Sequence, residues 1–330
     1  MLPGDPAQMM LGQNEDSEQL ALVKQKYGFD KPITTQYLYY INDLSPISFH
    51  SKKTDDYTFL SDNKYSAATL FSIGNTTTVL KYPYLRESFT KQGKKVSEVL
   101  AETLPNTFVL AVTAIIIAIF LGILLGIISA LYKDKWLDKT IQIFSTLGMS
   151  VPSFFSAILF AWLFGYVLHE FTNLEMTGSL YELDDFGEAM HIKWKNLILP
   201  AIVLGIRPLA VVIQLMRNSL LEVFNQDYIR TARAKGLSEF QIIRKHAVKN
   251  AMNPVVTAIS GWFASMLAGA VFVEYIFGWN GLGKEIVNAL NTLDLPVIMG
   301  SVLVIALLFT VINIIVDLIY VWLDPKVKLE

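Results

Sequence analysis

The sequence predicts an all-α membrane protein, a polytopic helical bundle of five transmembrane helices preceded by a polar extracytoplasmic N-terminal region. Three observations predict it. Of the 330 residues, 53% are apolar and only 17% charged, against about 25% charged in an ordinary soluble domain. Five segments are long and apolar enough to cross a hydrocarbon core of about 30 Å as helices. Lysine and arginine collect in alternate connections between those segments, which is the asymmetry that sets orientation in a bilayer. The formal net charge of −2 excludes a broad polyanion-binding surface, so nucleic acid is not an expected partner. The absence of cysteine removes disulfides and thiolate sites. The four histidines, His50, His169, His191 and His246, form no HxxxH or HExxH pair, so no metal site is expected.

Residues 1–106 read as an extracytoplasmic region. No basic start followed by an apolar run opens the chain, so no signal peptide is expected. Residues 13–96 are polar and interrupted by Pro, Gly, Asn and Asp, with seven tyrosines between Tyr37 and Tyr84. Such a stretch reads as water-exposed and modestly ordered, its aromatics packing a small core or resting at a membrane interface. Val96, Val99, Leu100 and Leu104 recur at helical spacing, which predicts an amphipathic helix on the bilayer surface near the end of this region.

The membrane-spanning body, 107–330, follows. The first span, 107–132, has no charge and carries the close-packing pair Gly122 and Gly126. The second, 141–168, is also uncharged and should kink at Pro152. The third, 197–216, holds one charge, Arg207. The fourth, 254–273, is uncharged, and the fifth, 297–323, is interrupted only by Asp317. Lys133, Lys135 and Lys139, then seven cations between Arg217 and Lys249, then Lys326 and Lys328, all fall on one side if the five spans are real. That side is expected to be cytoplasmic, which places residues 13–96 outside and the loop 217–253 inside.

That loop is the longest cytoplasmic connection. Its apolar residues recur at helical spacing on both sides of Gly236, which predicts two short helices with Gly236 at a φ > 0 turn. Ser238 and Gln241 stand three residues apart, as a capping box requires. A positive-inside loop need be neither so helical nor so provided with small residues.

The run DYIRTARAKGLSEFQIIRKHAVKNAMNP at 227–254 resembles the EAA loop of binding-protein-dependent ABC importers. More narrowly, the chain is similar to the dipeptide/oligopeptide permease family. LPGDPAQMMLG at 2–12, YGFDKP at 27–32, LPNT at 104–107, VEYIFGWNGLG at 273–283 and DLIYVWLDPKV at 317–327 resemble its other motifs in the same order. The resemblance implies a coupling helix that docks on a separate ATPase through Tyr228, Arg230, Ala232, Ala234, Lys235, Gly236 and Leu237. It implies two homologous permease subunits, two ATPase subunits that bind ATP–Mg, an extracytoplasmic peptide-binding protein, a peptide cargo and alternating access in the cell inner membrane. It also implies a sixth, N-terminal helix before Met1. Region 43–95 is longer than in many relatives.

The chain itself has no GxxxxGK[ST] loop, because Gly283–Lys284 is followed by Glu285; it is expected to be no enzyme and to hold no cofactor. A charge at the depth of Arg207 costs about 2.5–3.5 kcal/mol on insertion scales. Arg207 is therefore read as a pathway residue meeting a peptide carboxylate, as half of a structural ion pair, or as a side chain snorkelling to the interface if the span is shifted. Asn313 is the second pathway candidate and shares a face with Asp317. Glu274 reads as interfacial, and the glycines of FGWNGLG suit a tight external turn or re-entrant gate. An ion channel or secondary transporter would account for the spans and for Arg207, but not for the helical hairpin. A membrane-embedded enzyme would need a GxSx or paired-aspartate signature, which is missing.

Overall fold

A computed structural model describes residues 17–323 apart from 55, 62–63, 185–186 and 188, together with Ala7. The family-like segment at 2–12, Lys326, Lys328 and the end of the closing motif lie outside the described residues apart from Ala7. The chain is mostly helical and divides into two compact units: residues 1–102 with 286–303, and residues 103–285 with 304–330. The return of 286–303 to the first unit is not foreseen by the sequence boundary at 106.

In the first unit, α1 (Ser17–Tyr27) and α2 (Ile33–Leu44) precede three strands, β1 (Ile47–Ser51), β2 (Ala67–Ile73) and β3 (Thr76–Lys81). They form an antiparallel sheet in the order β1-β3-β2. The β2–β3 hairpin pairs Ile73 with Thr76, leaving Gly74 and Asn75 as a two-residue turn with Gly74 at φ +57°, a conformation glycine adopts freely. The region is therefore a folded unit rather than a loosely ordered stretch, and the all-α expectation is corrected by strands in both units. The tyrosines do build a small core. Asp43 is 1% exposed and its carboxylate accepts from Tyr65 Oη at 2.7 Å, Tyr57 Oη at 3.1 Å and Arg86 Nε at 2.9 Å, while its carbonyl accepts from Lys81 Nζ. Tyr39 stacks on Tyr57, and Tyr84 meets Tyr65 edge-on. A buried carboxylate is tolerable because it is this fully paired. Asp294, also buried, receives Thr90 Oγ1 at 2.8 Å and Ser88 Oγ, tying 286–303 to the loop after β3.

The helix expected at the bilayer surface and the first span are one element, α3 (Val96–Leu131, 36 residues). No boundary separates them, which corrects the reading of a separate surface helix. The second expected span is α4 (Trp136–Ser150) and α5 (Ser153–Trp162), continued by a π-turn over Leu163–Val167. The axes bend by 111° at the break, far beyond a kink. Pro152 lacks an N–H and forces Val151 into an extended conformation, φ −78° and ψ 131°, so the helix cannot pass through. After α6 (His169–Thr172), the small hairpin β4 (Tyr181–Leu183) and β5 (Met190–Ile192) leads into α7 (Lys195–Val223). α7 contains Pro200 and Pro208 and runs seven residues beyond the expected end at 216. The hairpin region comprises α8 (Asp227–Ala234), α9 (Glu239–Ile242), a π-turn over Ile243–Ala247 and α10 (Val248–Ala251). The fourth span is α11 (Asn253–Gly269) with α12 (Val271–Phe277), bent by 55°. Finally come α13 (Leu282–Asn291) and α14 (Leu295–Leu323). Among the described residues, three helices are thus long and apolar enough to cross a membrane unaided, and the count reaches five only if each bent pair is one crossing.

In the second unit the glycines of α3 allow close approach to α7. A Cβ on Gly122 would lie 2.6 Å from Val212, and one on Gly126 2.7 Å from Met216. From the other side, a Cβ on Gly205 would lie 2.9 Å from the Ala114 carbonyl. Without a hydrophobic drive between helices in lipid, such contact supplies the packing energy.

Candidate functional site

The hairpin is built from a short-range code. α8 ends at Lys235, Gly236 takes φ +77°, and Ser238 caps α9 by accepting from the Gln241 N–H while Gln241 Oε1 accepts from the Ser238 N–H. One face of the hairpin is sealed against the end of α7. Ile229, Ile242 and Ala247 are fully buried with Met216 and Leu220. Ala232, 5% exposed, belongs to this inner face, so it supports the hairpin from within rather than standing at its surface. Tyr228, Arg230, Ala234, Lys235 and Gly236 are exposed and Leu237 half-buried. Phe240, which sequence reasoning passed over, is 69% exposed beside them. Across the turn Arg233 grips Glu239 through two bonds, 2.9 and 3.4 Å; an exposed pair of this kind contributes about 1 kcal/mol or less. Tyr228 Oη accepts from Asn250 Nδ2 at 3.1 Å, which ties α8 to the end of α10.

A buried clamp holds the base of this hairpin, and no local sequence signal announces it. Asp138, 2% exposed at the start of α4, accepts from Arg217 Nε at 2.7 Å and Nη2 at 2.6 Å. Ser129 Oγ at the end of α3 donates to it at 2.5 Å and the Asp134 N–H at 2.9 Å. The bidentate geometry and the two further donors satisfy both charges, which is the condition for a buried pair to hold. The clamp joins α3, α4 and α7 ten residues before α8 begins.

The LPNT and VEYIFGWNGLG motifs meet at a second place in the same unit. Glu274, read as interfacial, is completely buried; this corrects the sequence reading. Its Oε2 accepts from the Gly283 N–H at 2.6 Å and the Lys284 N–H at 3.2 Å at the start of α13, where a helix leaves its N–H groups unpaired. The LPNT segment closes the turn. Asn106 Nδ2 donates to the Asn280 carbonyl at 2.7 Å, Trp279 Nε1 donates to the Asn106 carbonyl at 3.1 Å, and Thr107 Oγ1 accepts from the Leu282 N–H at 2.8 Å.

Arg207 lies near the middle of α7, about 18 Å from its start at 1.5 Å per residue. It is exposed on the chain and forms no ion pair among the described residues. Asn313 is half-buried in α14. The side chain of Asp317 lies outside the described residues.

A mostly helical body with long apolar helices, two broken pairs and an exposed helical hairpin on a packed base defines a multi-pass helical membrane protein. Residues 122–329 match the family of binding-protein-dependent transport system inner membrane components, and residues 1–54 match that family's N-terminal region; the chain belongs to this family, the transmembrane permeases of ABC importers. It is 32% identical to a dipeptide transport system permease protein of Alkalihalophilus pseudofirmus, over 99% of this chain and 91% of the relative. It is 34% identical to a putative peptide transport system permease protein of Brucella abortus, over 100% and 91%, and 30% identical to a glutathione transport system permease protein of Salmonella choleraesuis, over 99% and 90%. Among solved structures, the inward-facing MetNI methionine ABC transporter shares the fold at TM-score 0.54 and 15% identity, over 68% of this chain and 96% of that one.

Proposed function

We propose that this chain is one of two homologous permease subunits of an ATP-driven importer of di- and oligopeptides, and that it takes its motion from a separate ATPase through the hairpin at 217–253. The observation that carries the reading is the two-sidedness of that hairpin: a buried apolar face on its own chain and an outer face of Tyr228, Arg230, Ala234, Lys235, Gly236 and Leu237. Small residues at the turn permit close approach, and the cations suit an acidic rim on a partner. The names of the relatives supply the peptide class of the cargo.

In this reading the hairpin lies in the cytoplasm, residues 13–96 lie outside the inner membrane, and a peptide-binding protein delivers cargo there. Two ATPase subunits bind ATP–Mg and hydrolyse it; this chain does no chemistry and holds no cofactor. The ATPase pair biases the permeases between inward- and outward-open states by binding one state better than the other. Arg207 and Asn313 face the pathway. The hairpin favours this reading over a channel or secondary transporter, which needs no docking element.

The test is purification of the tagged chain from native membranes, followed by reconstitution. The ATPase should co-elute, and ATP should drive uptake of labelled peptide. Gly236→Val puts a β-branched residue at φ +77°, a conformation such residues resist, while no atom lies within 4 Å to clash with it. Uptake per ATP hydrolysed should fall while membrane insertion persists. Absence of any ATPase from the native complex overturns the reading, and an unchanged uptake ratio in Gly236→Val removes the hairpin from it.

A further inference from the structure

We infer that Arg207, Ser156 and the open N-terminus of α5 form a subsite for the C-terminal carboxylate of a peptide in transit. They line one cleft of about 90 Å³ in the second unit, together with Ser153 and Ser265. None of its lining residues is acidic, and Arg207 forms no ion pair among the described residues.

Two observations beyond the lone charge point to an anion. Ser156 is 8% exposed and lines the cleft, and its hydroxyl is joined to no other side chain or carbonyl among the described residues, so it is open to an incoming acceptor. α5 is ten residues long and begins at the 111° break with Pro152 at its N-cap and no side chain capping it. Its first N–H groups therefore have no helical acceptor, and they present the positive end of the helix dipole to the cleft. A broken membrane helix whose half-helix N-terminus and a cation face one cavity offers what a carboxylate lacks after losing water: charge, N–H donors and a hydroxyl. The cleft has room for several water molecules, so it takes a terminal group and not a whole peptide.

The inference rests on the peptide-importer reading, and one experiment separates the two. The complete complex is reconstituted in vesicles of zwitterionic lipid and in vesicles containing anionic lipid. Uptake of a labelled dipeptide and of its C-terminal amide is measured, with binding-protein affinity for each determined separately. Wild-type uptake of the free acid tests the importer reading; its absence overturns that reading and the subsite with it. With uptake present, Arg207→Gln should raise the KM for the free acid at least tenfold while leaving that for the amide within twofold, and Ser156→Ala should do the same to a smaller degree. Equal losses on acid and amide overturn the subsite. So does failure of Arg207→Gln to retain the partner permease, which would make Arg207 an interface cation. An effect confined to vesicles with anionic lipid would assign the cleft to a phosphate headgroup and also overturn it.

Discussion

Asp138→Ala tests whether the base of the hairpin is held by the buried clamp. Asp138 is 2% exposed and receives four donors: two from Arg217, one from Ser129 and one from the Asp134 backbone. Removing one partner of a buried pair leaves the other charge uncompensated, at about 3–5 kcal/mol. The Arg217 side chain retains 17% exposure, so water softens its loss and the lower end, about 3 kcal/mol, is expected. Ser129 keeps a second contact, with Gln142 Nε2 at 3.1 Å, and adds little. The same chain with Asp138→Leu and Arg217→Met together should lie within about 1–2 kcal/mol of wild type, because no charge is then stranded. At about 2 °C per kcal/mol for a large domain, the single variant should lose about 6 °C of thermal midpoint, read by tryptophan fluorescence in detergent. The uptake-to-hydrolysis ratio of the single variant should also fall, since the hairpin's footing on α3 and α4 is lost. A drop of less than about 1 kcal/mol in the single variant, or a double variant less stable than Asp138→Ala, would refute the clamp.

Gly281→Ala should destabilise the chain by about 1–3 kcal/mol, because its Cβ would run into the buried Glu274 carboxylate. Gly261→Ala, in α11 with nothing within 4 Å, should be neutral or stabilising by about 0.5–1 kcal/mol; thermal midpoints that do not separate the two variants would contradict the packing of the turn. The stability of the first unit should rise from about pH 8 to a maximum near pH 10. Burial holds His50 below its ordinary 6.5, so below that pH the unfolded chain takes up a proton first and stability falls. Burial draws Lys64 down to about 8, so between 8 and 10.5 the unfolded chain holds a proton the folded one has shed, and stability rises. Burial pushes Tyr57 and Tyr65 above 10, so above pH 10 the unfolded chain ionises first and stability falls. Urea midpoints of the tyrosine signal from pH 5.5 to 11 check this, and a steady decline from pH 7 to 9.5 would contradict it.

The hairpin was readable because its signals are short-range. Gly236 with Ser238 and Gln241 specify a turn and a cap within six residues, and both are present. Pro152 was read in kind but not in degree: its missing N–H predicts an interruption, while the packing around the break sets a 111° bend. The N-terminal sheet was missed because its pattern is inverted: in β1 the polar Ser48 and His50 are buried while Ile47 and Phe49 are exposed, and β2 is exposed throughout. Its tyrosines looked scattered until Asp43 gathered them. Ala232 was assigned to the docking surface from its place in a motif, but helical periodicity puts it beside Ile229, which is fully buried.

Hydropathy alone made this a membrane protein, because a segment crossing lipid must satisfy its own backbone and so carries its signature locally. The order of motifs made it an importer permease. Only the folded chain could show that Asp138 meets Arg217, 79 residues away, that Glu274 is enclosed rather than interfacial, and that no acid answers Arg207 among the described residues. Those facts depend on which side chains tertiary packing brings within about 3 Å, and a charge written in a sequence is the same letter whether it is paired, capped or left facing an empty cleft.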